Sequence, residues 1–459
     1  MMKRLASCAL IAAFAHSFTP AEAKCEYSFS GSIMVVHNGV ERPMPDVKVR
    51  VRREHGTGLG RNFVRTDKNG HFSGSWSFDE DQNGVLPGSK DINFAIQIQL
   101  EDHDRFKVVK GGWTDTPWDT VKTARGQNCT PFIYTEPFRI DADALQMDDL
   151  NRRAFIYMVH SRLLDALEAE GVGLKNRIEV IYPDRHIYGR DGSWFLHKSH
   201  IEANDWNRMI TLIHEVMHQW DVNWLKGEAT LTCLTDAHHE PPERRGSKRC
   251  SGFMEGFAEA TAQALYNEAF ADDRFFWMNK DRRTPMNGPQ SHEALRNDSN
   301  GTGALRNVDE AERNDVGWRN FLQFMIWNWD WEVFNERGNA DLYNLSTCKP
   351  RHIPVFELLR ALKAEAPDHG GDRATFTWFT NILEARIPGF SSRDTVYYQL
   401  LGNPAADPVD IQKAMCPEGR AALENLAAPL GRPDVSAIGK VKPKINRNTP
   451  VIKPKGLKD

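Results

Sequence analysis

The sequence predicts a multi-domain fold, with a β-sandwich at the N-terminus followed by an α+β domain whose C-terminal part is mainly helical. Three observations carry that reading. From Cys25 to about Ile140 apolar residues recur with period two, the alternation of half-buried strands. After about Asp141 the spacing lengthens to three and four residues, the stripe of amphipathic helices. The chain has 459 residues, more than a single hydrophobic core usually serves.

In the first region, "MPDVKVRVRRE" puts Val47, Val49 and Val51 on one strand face and Lys48, Arg50 and Arg52 on the other. "FVRTDKNGHFSGSWSF" sets a turn at Asp67-Lys68-Asn69-Gly70 between two strand-like runs, a hairpin signal. "INFAIQIQL" alternates through Ile92, Phe94, Ile96 and Ile98. Short strands divided by Gly and Asn turns predict a β-sandwich over residues 24–140. "GTGLGRNF", Gly56 to Phe63, is glycine-rich, but a strand pattern follows it where a phosphate loop needs a helix N-terminus. It reads as a strand connection.

The two ends differ from the rest. "MMKRLASCALIAAFAHSFTPAEAK" has basic Lys3 and Arg4, an apolar run from Leu5 to Phe18 and a small-residue site at Ala21 to Ala23. That layout predicts a signal peptide over residues 1–23, cleaved after Ala23, and a secreted or periplasmic location. The run is too short to span a bilayer and nothing else approaches that length, so no membrane anchor is expected. Cleavage removes Cys8 and leaves Cys25, Cys129, Cys233, Cys250, Cys348 and Cys416, an even set that suggests disulfides. Sequential pairing is the simplest of the 15 connectivities six cysteines allow. Residues 433–459 are rich in Lys and Pro without an apolar period, and predict a disordered basic tail. A formal net charge of -4 argues against a nucleic-acid partner.

In the second region "ALQMDDLNRRAFIYMVHSRLLDALEAEG" reads as a long amphipathic helix stopped by Gly171. "RIEVIYP" and "GSWFLHKSHIEA" read as strands. A helix bearing "TLIHEVMHQWDVNW" follows, with Asn204 or Asp205 as its cap and Trp206, Ile210, Ile213, Met217 and Trp220 as its buried stripe. His214 and His218 stand one turn apart, so both imidazoles leave the same face. Two such rings can share one tetrahedral Zn²⁺ at roughly 2.0–2.1 Å each. Glu215 sits about a third of a turn round, beside the metal position without having to bind it. A hydrolytic zinc site needs one more protein ligand. The helical "CSGFMEGFAEATAQALYNEAF" offers Glu255 as that ligand. Glu259, one turn later, can hold the far nitrogen of a ligand histidine.

"HEVMHQW" followed by "MEGFAEA" resembles the gluzincin metallopeptidases, especially their aminopeptidase-N-like branch, over roughly residues 175–275. The resemblance implies a zincin-like domain over residues 141–432, with Zn²⁺ held by His214, His218 and Glu255. It makes Glu215 the general base and puts Glu259 where thermolysin-like relatives carry an acid behind the ligands. It also implies that "GSWFLHKSHIEA" lines the cleft, with Trp194 to His200 facing an extended substrate. The layout around "MPDVKVRV" resembles transthyretin-like or carboxypeptidase-regulatory-like modules, which accompany an enzyme or contact a partner.

Two features depart from the family. The stretch from His218 to Glu255 is long and holds "TCLTDAHHEPPERRGSKRC", read as a surface insertion closed by Cys233–Cys250. The "DAHHE" within it reads as a polar loop before it reads as a second metal site. No Gly-x-Met-Glu-Asn-type motif precedes the helix, which favours an endopeptidase over an aminopeptidase. The oxyanion-binding group stays open. Tyr266 shares a face with Glu255 but lies about 16 Å along the helix axis, leaving His292, Tyr343, His352, Tyr397 and Tyr398. The expected function is a secreted zinc metallopeptidase acting on peptides or proteins. The alternatives are an aminopeptidase, or a non-catalytic peptidase-like protein that binds or adheres through its β-module.

Overall fold

The structure is a computed structural model that describes residues 24–53, 63–79, 91–111, 116–127, 137–144, 149–183, 198–201, 205–225, 249–270, 273–276, 305–327, 351–365 and 375–406. Among these residues the architecture is mixed α/β. Strands β1 (Lys24–His37), β2 (Val40–Pro43), β3 (Lys48–Arg53), β4 (Val64–Arg65), β5 (His71–Asp79), β6 (Asp91–Gln99), β7 (Glu101–Asp102), β8 (Phe106–Lys110), β9 (Asp119–Gln127) and β10 (Pro137–Asp141) come first. Helix α1 (Asp149–Ala169), β11 (Ile178–Tyr182), β12 (Lys198–His200), α2 (Met209–Trp224) and α3 (Arg249–Ala269) follow. Then come α4 (Val308–Glu312), α5 (Asp315–Trp327), α6 (Val355–Glu365), α7 (Phe376–Arg386) and α8 (Ser392–Gly402). The expected signal segment and basic tail lie outside the described residues, as do Cys129, Cys233, Cys348 and Cys416 of the expected disulfides. No helix among the described residues is long and apolar enough to cross a membrane.

The strands form three four-stranded sheets. In the first, β10, β1 and β2 are neighbours in that order and β5 also pairs with β1; the second has the order β4-β3-β6-β9. The two meet through aromatic rings, Tyr27 and Phe29 of β1 lying 4.9 and 5.3 Å from Phe94 of β6. Edge-to-face contacts of this kind add to the area they bury. Val47, Val49 and Val51 are fully buried, as the alternation predicts.

The turn at Asp67 to Gly70 forms, but no paired hairpin does. β4 pairs with β3 and β5 with β1, so the turn carries the chain from one sheet to the other. Gly70 has φ +74, and a Cβ there would sit 2.5 Å from the carbonyl oxygen of Ile33, whose own N–H donates to Gly70. Only glycine fits that corner.

The third sheet, in the order β12-β11-β8-β7, takes main chain from both sides of the boundary expected at residue 140. Its β8–β11 and β11–β12 pairs are parallel. Helix α1 packs beside it and is amphipathic as expected only from Arg162 on, since every residue from Arg153 to Ser161 is buried. Sheet and helix neighbours enclose it, and Tyr157 donates to the carbonyl of Pro45 at 2.7 Å. It stops at Gly171 (φ +71), where Val172 N–H closes back on the Leu167 carbonyl at 2.7 Å, a Schellman-type end.

Candidate metal centre

Helix α2 begins later than its sequence suggests. Arg208 is the N-cap and makes no side-chain cap bond. Asp205 is spent on a preceding turn, its carbonyl accepting from Arg208 N–H and its carboxylate pairing with the Arg208 guanidinium at 2.9 Å. Asn204 lies outside the described residues. Ile213, Met217 and Trp220 are fully buried as expected, and Met209, Leu212 and Val216 join them, while Trp206 and Ile210 are only partly covered.

The residues after the histidines anchor the helix. Gln219 Nε2 donates to the Lys198 carbonyl of β12 at 2.8 Å, and Trp220 Nε1 donates to the Val172 carbonyl at 2.8 Å. Asn223 Oδ1 accepts from the N–H groups of Lys175 and Asn176, and Trp224 Nε1 donates to Gly173. One face of α2 is thereby tied to the end of α1 and to β12, leaving His214 and His218 toward α3. There Phe257 packs on Trp220 with ring centroids 5.8 Å apart.

Three donor atoms converge between α2 and α3. His214 Nε2 and His218 Nε2 are 2.9 Å apart, and Glu255 Oε2 lies 3.4 Å from the first and 3.6 Å from the second. Tetrahedral zinc with bonds of 2.0–2.1 Å requires donor–donor edges of about 3.3 Å. The two edges to Glu255, 3.4 and 3.6 Å, are close to that size, and the His214–His218 edge of 2.9 Å has to open slightly to take the ion. Two imidazoles and a carboxylate also form the donor set of a catalytic zinc with an open fourth position. His214, His218 and Glu255 are the only group of three such donors among the described residues that can hold a metal ion.

The electrostatics point the same way. Burial pulls His218 down, but the neighbouring Glu255 carboxylate, helped by Glu215 and Asp221, outweighs it and leaves the imidazole at about 9. Burial pushes Glu255 up, yet the two histidines hold it well below the usual carboxylate range. The pocket therefore favours a positive charge at the point where the three atoms meet.

Glu215 is half-buried on α2, close enough for its charge to act on His218. Glu259 is engaged differently from the expectation. Its Oε1 accepts from Arg319 Nη1 of α5 at 2.7 Å, and the buried Nδ1 of His218 has no hydrogen-bond partner. Arg319, some sixty residues away in sequence, was invisible to motif spacing. Of the oxyanion candidates, Tyr398 donates to the Arg351 carbonyl at 2.8 Å and the His352 ring contacts the Ile326 carbonyl. Tyr397 packs against Tyr398, while His292 and Tyr343 lie outside the described residues, as do Trp194 and the "DAHHE" loop.

The chain matches no family model, no curated protein and no solved structure.

Proposed function

We propose that the chain is an exported zinc-dependent metallopeptidase, an endopeptidase before an aminopeptidase, with a zincin-like catalytic domain behind an N-terminal β-sandwich module. The observation that carries the proposal is the convergence of His214, His218 and Glu255 at zinc-ligand spacing, with Glu215 on the same helix. The facing β1 and β6 sheets support the sandwich reading of residues 24–140.

His214, His218 and Glu255 would hold the metal. When bound, zinc acts as a Lewis acid that polarises the scissile carbonyl and brings a water's pKa to near 7. Glu215 supplies the proton traffic: it takes a proton from the attacking water and returns it to the departing amine. β12, outermost in its sheet among the described residues, offers main-chain groups to an extended peptide. The Gln219 bond to Lys198 would keep that strand in step with the histidine helix.

Glu215→Gln tests the reading. General acid–base groups contribute about 10²–10⁴-fold, so turnover of a casein or peptide-library substrate should fall by that factor. Zinc content measured by elemental analysis should stay at wild type. Full activity in the variant, or wild-type cleavage that a zinc chelator leaves untouched, would refute the mechanism.

A further inference from the structure

We propose that Arg319 is a positioning residue of the metal centre: its ion pair with Glu259 fixes how α3 sits against α5, and so where Glu255 meets the two histidines. This rests on the zinc-site reading above and extends it to a residue outside both motifs.

The contact is one rung of a ladder. Arg319 Nη1 reaches Glu259 Oε1 at 2.7 Å, and one turn on, Gln323 Nε2 donates to Gln263 Oε1 at 2.9 Å. Both pairs are separated by the same sequence distance, 60 residues, so α3 and α5 run side by side in register. The same offset one turn earlier matches Glu255 with Asp315, the first residue of α5. At that position α5 offers an acid and not a cation. Among the described residues, the ion-pair partners of Glu255 are the two histidines of α2.

The backbones approach closely because α3 is glycine-lined here. A Cβ on Gly256 would lie 2.5 Å from the Asp315 carbonyl oxygen and 2.5 Å from Trp318 Cβ, and one on Gly252 would lie 2.5 Å from the Arg313 carbonyl carbon. The glycine ridge permits this near contact, Phe253 packs edge-on against Trp318 with ring centroids 4.8 Å apart, and the Arg319–Glu259 rung is the polar contact nearer to Glu255. One residue per turn along α3, Glu255 faces the metal position and Glu259 faces Arg319. A shift of α3 by a fraction of a turn would spoil a triangle whose edges differ by less than an ångström. The Arg319 and Glu259 side chains are 11% and 27% exposed, a half-buried pair that solvent screens less than a fully exposed one.

The experiment measures zinc affinity by competition with a chromogenic chelator, alongside the melting temperature of the metal-free protein. Arg319→Met removes a positive charge near the site. Electrostatics alone would tighten zinc binding, whereas loss of positioning should weaken it by about 10–100-fold. The charge-neutral double variant Glu259→Leu/Arg319→Met replaces the ion pair by an apolar pair of similar size, an exchange that buried ion pairs commonly tolerate. It should be folded and should also lose zinc affinity. Gln263→Leu/Gln323→Leu, one turn further from Glu255, should leave zinc affinity unchanged. Zinc affinity within about threefold of wild type in the folded double variant overturns the proposal while leaving the metal centre standing. A wild-type chain that binds no zinc removes the metal centre itself, and Arg319's role with it.

Discussion

His160 of α1 and His218 of α2 are both enclosed histidines, and their environments drive them in opposite directions. His160 is fully buried, its Nδ1 bonded to the Ile156 carbonyl at 2.8 Å, its Nε2 without a partner and the Phe106 ring 5.7 Å away. With no carboxylate to oppose desolvation it is pushed down to about 4. Burial also lowers His218, but Glu255, with Glu215 and Asp221, reverses its effect and raises it to about 9. Enclosure by itself makes an imidazole a neutral packing element. Enclosure with carboxylates makes it part of a receptor for a cation, and a metal ion can take the proton's place. The neighbouring carboxylates, Glu255 first, are what separate the two sites.

The sharpest way to break this contrast is to remove the main carboxylate. Glu255→Ala should cost zinc affinity on the order of 10²-fold or more, since a three-ligand site becomes a two-ligand one. Unchanged metal occupancy in that variant would mean Glu255 is not a ligand.

The His160 side of the contrast predicts acid sensitivity. Its folded-state value lies below the unfolded one near 6.5, so above pH 6.5 both states are neutral and the group has no effect. As pH falls from about 6.5 to 4 the unfolded chain binds the proton first, and stability declines by up to about 3 kcal/mol. His160→Leu should flatten that part of the denaturant-derived stability curve. Superimposable curves for the two proteins would show that His160 is not the acid-labile group.

A smaller effect tests the cation receptor in the intact chain. Zinc at 100 times its dissociation constant should stabilise the fold by about 2.7 kcal/mol, seen as a rise in melting temperature that a chelator reverses. A melting temperature indifferent to zinc at pH 7 would place His218 with His160.

Part of this molecule was readable from residue order. His214, Glu215 and His218 share a helix because helical spacing is local, and the buried Val47, Val49 and Val51 follow from strand alternation in the same way. Glu255 was legible as well, since "MEGFAEA" is a strong helix former with its glutamates one turn apart. Two things were not. The Asp67–Gly70 turn looked like a hairpin because turn chemistry is local, whereas the partner of each flanking strand is not. Helix α1 read as amphipathic throughout, but its stretch from Arg153 to Ser161 is buried all round, because its neighbours come from distant parts of the chain.

Glu259 marks the boundary most clearly. Its place one turn after Glu255 was determined by sequence alone. Its partner, Arg319 and not a histidine, was decided when α5 packed against the glycines of α3. Backbone geometry dictates which residues share a face. What that face meets depends on long-range packing, and no local pattern encodes it.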